Sequence, residues 1–352
     1  MDTNALKKWF LNEKRDLPWR NEPTPYAVWV SEVMLQQTQV SVVIPYFERW
    51  MKKFPTVKAL AEAPLDEVIK VWEGLGYYSR ARNLHEGAKM VLRDFGGEIP
   101  RDKGDLQKIK GLGPYTVGAI LSFAFHEKEP AVDGNVVRVL ARHAMIDKDI
   151  AKMTTLKEIR GVALNVLPDA EPWIVSEALI ELGATICGRK PKCHECPLKR
   201  SCLACRHGIA DKLPIKTVKT KTIHLTRIVP IISCGQELLV SRGAKGKVMC
   251  DLHEFPYIEV NAEEIENFKL IDFLSSQWGI KAKLELSLPS DTHTFTKYRV
   301  KLFPHHVSCK KKVSVDGYEW MALEKLTELA FSSGHRRVLE KYMTSLKKNI
   351  NE

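Results

Sequence analysis

Apolar positions recur every three to four residues through the first half of the chain, and short connections marked by Pro and Gly separate the runs. YAVWVSEVML, VSVVIPYFERWMKKF, ARNLHEGAKMVLRDF, YTVGAILSFAFH, GNVVRVLARHAM and EPWIVSEALIELGATIC all carry this period. An all-α domain is therefore expected from residue 1 to about residue 187, followed by a cysteine-rich stretch. The pattern changes after RHGIADKLPIKTVKTKT, which is rich in Lys and Thr and lacks apolar periodicity. IHLTRIVPIIS, ELLVSRG, KAKLELSL and KYRVKLFP alternate or run β-branched, interrupted by helical AEEIENFKLIDFLSSQW and followed by helical SGHRRVLEKYMTSLKK. The expected organisation is a helical domain over 1–205, a linker over 206–222 and an α+β domain over 223–352.

Composition narrows the function class. At 352 residues, with 44% hydrophobic and 28% charged residues, the chain is an ordinary globular protein of more than one domain. The formal charge of +11 admits either simple solubility or a polyanionic partner. The N-terminal MDTNALKKWFLNEKRDLPW has no uninterrupted apolar core, and no stretch approaches the roughly 18 apolar residues of a membrane span. A soluble cytoplasmic protein without a membrane partner is expected. Five of the eight cysteines fall between Cys187 and Cys205, which favours a metal in a reducing compartment over a disulfide framework. Cys187, Cys193, Cys196 and Cys202 follow the spacing C-x5-C-x2-C-x5-C. Both a tetrahedral zinc and an iron–sulfur cubane use four thiolates, although zinc sites more often come as two short pairs across a longer loop. Cys205 is left over, and Arg189, Lys190 and Lys192 sit on the first loop, where they could meet phosphates.

SEVMLQQTQV sets one carboxylate, Glu32, among Val30, Val33, Met34 and Leu35, then adds four uncharged hydrogen-bonding side chains. Apolar surroundings raise a carboxyl pKa, so Glu32 could donate a proton near neutrality. Asp133, in AVDGNVVRVLAR, stands just ahead of a helix, where it is either a plain N-cap or an anionic partner for Glu32. Two carboxyls of different pKa are what glycosidic cleavage requires. In IKGLGPYTVGAI a Gly-Leu-Gly hairpin runs into a helix with Pro114 suited to its first turn. Gly111 and Gly113 would allow backbone conformations that other residues resist, exposing amides beside a helix N-terminus, which favours a phosphate.

PWRNEPTPYAVWVSEVMLQQTQVSVVIPYFERW, GLGYYSRARNL, the hairpin, VDGNVVRVLAR and the cysteine run together resemble the MutY family of adenine DNA glycosylases, within the helix-hairpin-helix (endonuclease III) superfamily. The likeness covers residues 5–205 densely. It implies base flipping and N-glycosidic cleavage of adenine mispaired with 8-oxoguanine or guanine in double-stranded DNA. It also implies a monomer, nucleoid-associated if bacterial, with a [4Fe-4S] cluster on Cys187, Cys193, Cys196 and Cys202. On this resemblance Glu32 protonates adenine at N7, Asp133 faces the oxocarbenium-like sugar, and Tyr115 and Asn135 support them. Arg15, Trp19, Arg20, Leu35 and Glu177 resemble the adenine pocket, core packing being the plainer role for Trp19 and Leu35. Gln37, Thr38 and Tyr77 resemble residues that enter the base stack. Strand-cleaving relatives carry a Schiff-base lysine just after the hairpin glycines; this chain has Tyr115 there, with Lys110 ahead of the turn, so base removal alone is expected. An endonuclease III-like glycosylase/lyase for damaged pyrimidines and a non-catalytic iron–sulfur DNA-binding protein are the competing readings.

The C-terminal half resembles the MutT-like (Nudix-fold) domain with which this family inspects the base opposite adenine. Only Glu263 and Glu264 stand where a nucleotide-hydrolysing relative has its acidic metal-binding helix, so the domain is expected to read DNA. Two positions depart from the family pattern. The recognition loop, typically Phe-Ser-His, is here Phe295-Thr296-Lys297, which exchanges a planar imidazole for a flexible cation with donors only and implies relaxed discrimination of 8-oxoguanine from guanine. The first cysteine gap has five intervening residues rather than six.

Overall fold

A computed structural model describes residues 1–217, 221–244, 246 and 249–350; the expected linker thus lies partly outside the described residues. Two compact units emerge, one of Met1–Ala63 with Ser79–Lys219, the other of Pro64–Tyr78 with Thr220–Glu352.

The first unit is helical. Thr24 caps the Pro25–Leu35 helix through the Ala27 amide, Pro25 occupies its first turn, and every residue from Tyr26 to Met34 is buried. A helix buried all round shows no polar face, which is why this segment reads as apolar on every side, broken only by Ser31 and Glu32. The hairpin lies between the Lys103–Lys108 and Pro114–Ala119 helices. The latter continues into a π-helical turn, Ile120–Ala124. Helices Thr3–Glu13, Gly134–His143, Met153–Val166 and Pro172–Thr185 share a core that includes Leu6, Phe10, Leu140, Ile159, Leu179 and Leu182.

The second unit is built on β1 (Ile223–Cys234), β2 (Glu237–Arg242), β3 (His253–Glu254), β4 (Ile258–Val260), β5 (Ala282–Ser287), β6 (Asp291–Phe295), β7 (Tyr298–Cys309) and β8 (Glu319–Ala322). The path runs β3-β2-β1-β7-β5, with β4 on β1, β6 on β7 and β8 on β2. β1 and β7 pair in parallel from Ile223↔Tyr298 to Ser233↔Ser308, and their inward apolar residues meet Val338, Leu339 and Tyr342 of the Ser333–Ile350 helix. β6 and β7 form a hairpin, with Phe295 opposite Tyr298 and only Thr296 and Lys297 between them. The helix expected across 262–278 is broken. A capping box between Asn261 and Glu264 closes a 3₁₀ turn at Ala262–Glu264, and the α-helix begins only at Leu270.

Candidate active site

Glu32 is only 6% exposed, and its Oε2 accepts a hydrogen bond from the Tyr115 hydroxyl. Burial pushes the Glu32 carboxyl up to about 7; Asp133 and Glu177 add to the rise, while the Tyr115 bond and Arg20 oppose it. Burial, with the Glu32 and Asp133 charges, holds the Tyr115 hydroxyl well above the usual tyrosine range, so it remains a donor. The hairpin glycines set Tyr115 at the start of its helix. Gly111 has φ 88°, and a Cβ there would stand 2.7 Å from Cβ of Asn83. Gly113 does not need to be glycine on these grounds: as the helix N-cap it is extended, at φ −85° and ψ 171°, with open space around its missing Cβ.

Asp133 caps the Gly134–His143 helix. Its Oδ1 accepts the amides of Asn135 and Val136, both at 2.8 Å, and its Oδ2 accepts Asn135 Nδ2 at 2.7 Å. Burial raises its pKa against the pull of these donors and of Arg138. The sequence places the two acids in opposite environments; in the structure Glu32 is buried and Asp133 half-buried, and desolvation raises both carboxyls. Their difference lies in the three bonds that favour the Asp133 carboxylate, against one tyrosine hydroxyl on Glu32.

The far wall comes from the Pro172–Thr185 helix. Arg20 Nε meets Glu177 Oε2 at 3.0 Å, Arg20 Nη2 meets Glu181 Oε2 at 2.9 Å, and Arg15 Nε meets Glu181 Oε1 at 2.5 Å. Burial works against the charge on fully buried Glu181, yet Arg15 and Arg20 hold its carboxyl below the usual range. Glu181 escaped the sequence reading, although its position four residues after Glu177 puts both on one helical face. Trp19 is 6% exposed, its ring edge-on to Phe47 at 5.5 Å. These groups, with Leu35, Gln37, Thr38, Gly111, Gly113, Tyr115, Asp133 and Asn135, line one cavity of about 650 Å³. That volume suits a small organic ligand such as a nucleobase with its sugar.

Arg80, also absent from the expected site, orders the cavity lip. Its Nη1 donates to the carbonyls of Val33 and Met34 at 2.9 Å and Gln36 at 2.5 Å, and its Nη2 to Thr38 Oγ1 at 3.2 Å. It thereby satisfies the last carbonyls of the Glu32 helix where Gln37 turns into the left-handed region at φ 57°.

Cys187, Cys193, Cys196, Cys202 and also Cys205 line a second, small cavity. Burial first, then the neighbouring thiols, push Cys193 and Cys196 up to about 11. No group of three or more His, Cys, Asp or Glu among the described residues converges closely enough to hold a metal ion. The loop is pinned by Arg142, 2% exposed, whose Nη1 donates to Gly188 O at 2.6 Å and lies 3.3 Å from Cys187 Sγ. Arg138 bonds Cys187 O and Asn135 Oδ1, both at 2.7 Å, so one guanidinium joins the cysteine loop to the Asp133 cap.

The remaining candidates belong to the second unit. Tyr77 is 43% exposed with φ 48°, and Thr296, at the β6–β7 tip, has φ 49°. Phe295 packs on Tyr298 at 5.4 Å, and Lys297 Nζ stands 5.5 Å from the Tyr298 ring centre.

The family model for the HhH-GPD superfamily of base excision DNA repair proteins matches residues 30–163, and the NUDIX domain model matches 228–341. The first unit thus has the helix-hairpin-helix fold and the second a Nudix-like α+β fold, as the sequence pattern implies. The human protein "Adenine DNA glycosylase" is 46% identical over 210 residues, 57% of this chain and 38% of its own length. Its namesake from Buchnera aphidicola subsp. Acyrthosiphon pisum is 34% identical over 261 residues, 74% of each chain. The chain spans about two fifths of the length of the mammalian relatives it matches. Among solved structures, a thermostable thymine-DNA glycosylase is 27% identical with a TM-score of 0.54, covering 58% of this chain and 95% of that one. A trapped endonuclease III–DNA covalent intermediate is 26% identical at a TM-score of 0.51, covering 59% and 95%.

Proposed function

The chain belongs to the adenine DNA glycosylase family, and from that premise we propose that it removes adenine from double-stranded DNA where adenine stands opposite 8-oxoguanine or guanine. The observation that carries the reading is the buried Glu32 carboxyl, raised to about 7 and facing the same cavity as Asp133. At neutral pH a large fraction of Glu32 is protonated. Glu32 passes that proton to N7 of the flipped adenine; the N-glycosidic electron pair leaves with the base, and positive charge develops on the sugar. Asp133, its carboxylate form favoured by three donors, stabilises that charge until water adds at C1′ and loses a proton. Arg15, Arg20, Trp19, Leu35 and Glu177 enclose the base, and Tyr115 and Asn135 hold the two acids. Gln37, Thr38 and Tyr77 enter the opened stack; left-handed backbones at Gln37 and Tyr77 are the kind of local strain retained at functional positions. Gly111 and Gly113 present amides to the backbone phosphate, and Phe295, Thr296 and Lys297 meet the opposite base.

Cys187, Cys193, Cys196 and Cys202 would hold a [4Fe-4S] cluster. These four thiols line one cavity, and four thiolates are the donor set that such a cluster takes. Such a group would supply a rigid anchor for the Arg189–Lys192 loop, which could then meet DNA phosphates. Strand cleavage is disfavoured because Tyr115, with a raised pKa and its hydroxyl donating to Glu32, offers no amine at the cavity. Free adenine assayed on duplexes with adenine opposite 8-oxoguanine, guanine or thymine tests the proposal: release from the first two is expected, with strand breaks only after alkali. Breaks without alkali, or no free base, would overturn it.

A further inference from the structure

The Ser333–Ile350 helix carries near its start two adjacent arginines with different partners. Arg336 Nε donates to Glu73 Oε1 at 2.7 Å, and the Phe331 amide donates to the same oxygen at 2.9 Å. Lys70 Nζ donates to the other Glu73 oxygen at 2.8 Å and to the carbonyls of Thr327 and Leu329, both at 3.0 Å. Arg337 donates instead to Asp291 Oδ1 at 3.0 Å, where β6 begins, and Lys341 adds a second cation to Asp291 at 2.9 Å. Gly334 permits the close fit on this side: a Cβ there would lie 2.4 Å from the His293 ring, which stacks on Phe295 at 5.4 Å.

Both sets of contacts lead within a few residues to a strained tip. Beyond Glu73 the chain is braced by Trp72 Nε1 donating to Gly76 O and Gly74 N donating to Tyr78 Oη, each at 3.1 Å, and it delivers Tyr77 in the left-handed region. Beyond Asp291 the hairpin closes on Thr296, also left-handed, while the Ile223 amide ties Lys297 O at 2.8 Å. A β-branched residue in that region is held there only when its surroundings over-determine it. The anchoring carboxylates are well covered, with Glu73 15% and Asp291 12% exposed at the side chain; Arg336 is 18% exposed and Arg337 40%, so the Arg336–Glu73 pair is the less screened of the two.

We propose that Arg336 and Arg337 are positioning residues that join the Tyr77 turn and the Phe295–Lys297 hairpin into one rigid reader. What the hairpin meets opposite adenine then governs how firmly Tyr77 holds the duplex open. The role in DNA rests on the adenine glycosylase reading above; the mechanical coupling does not. Hydrogen exchange on the full chain without DNA tests the coupling. Arg336→Gln is expected to speed exchange at 74–78 and also at 293–298, Arg337→Gln to do the same, and Arg336→Lys, which can still pair with Glu73, to restore protection at both. Exchange that rises only beside the substituted residue would overturn the coupling. In single-turnover assays either Gln variant should lower the preference for adenine opposite 8-oxoguanine over guanine on the order of 5- to 10-fold, with the rate on the 8-oxoguanine duplex at saturating enzyme changed less. The double variant should lose no more than the worse single. Additive losses contradict one reader. If the wild-type chain releases no adenine, the glycosylase reading fails, and the exchange experiment still decides the coupling.

Discussion

Two regions of the molecule handle strain and charge in opposite ways. The cavity of the first unit concentrates electrostatic cost: Glu32, Asp133 and Glu177 are all raised by burial, and Glu181 is kept ionised only by two arginines. The β6–β7 tip of the second unit concentrates conformational cost instead, with Thr296 left-handed in a two-residue turn beside exposed Lys297. Chemistry on a glycosidic bond needs groups with displaced pKa values in a dry site, whereas inspection of a neighbouring base needs a shaped tip that water can reach. The difference predicts where substitutions change rate and where they change preference.

The largest effect is expected at Glu32. Glu32→Gln should lower adenine release about 10³- to 10⁴-fold while leaving duplex affinity intact, as gel shift would show. The same variant sharpens the electrostatic side of the comparison. Glu32 binds its proton more tightly folded, about 7, than at its ordinary value of 4.5, so the native state holds the extra proton between those values and stability falls as pH rises through that window. Above pH 7 the buried charge costs about 3 kcal/mol. Glu32→Gln should therefore melt higher than the parent at pH 8, and the gain should vanish near pH 4. Cys202→Ser comes next: the purified variant should lose the brown absorbance near about 400 nm and melt at a lower temperature. An unaltered spectrum would remove Cys202 from the ligand set.

Tyr115→Phe should slow release about 10- to 100-fold, one hydrogen bond to a charged group being worth about 1.5–3 kcal/mol. Because that bond lowers the Glu32 pKa, its loss should move the alkaline limb of the pH–rate profile upward. The smallest effects belong to the tip. Thr296→Gly should relieve the left-handed strain and gain about 0.5–1 kcal/mol in thermal unfolding. Lys297→His should leave the rate on the 8-oxoguanine duplex nearly unchanged and improve its preference over guanine a few-fold. A large rate loss from either tip substitution would erase the division between the two regions.

The first region was far more legible in the sequence than the second. Helical periodicity located six of its segments, and Glu32 stood out because an acid inside an apolar run is costly wherever the run folds. The weakly patterned Met153–Val166 helix and the short Val57–Glu62 and Lys103–Lys108 helices drew no attention, since tertiary packing rather than period holds them. Arg80 and Arg138 were invisible as organisers because most of their acceptors are backbone carbonyls, which no side-chain motif records. Glu73 and Arg336 are 263 residues apart in sequence, and nothing in either local pattern marks the other. Only Thr296 and Lys297 signalled the tip, and what they signalled was substitution in a loop rather than its left-handed turn.

The pH dependence of the single-turnover rate on a duplex with adenine opposite 8-oxoguanine, compared between the parent and Glu32→Gln, tests the central claim most directly. With Glu32 as the acid, the parent rate should be level below pH 7 and fall about tenfold per unit well above it, and the variant should show a small residual rate without that limb. A parent profile flat to pH 9, or a variant that keeps both the rate and the limb, would contradict the assignment.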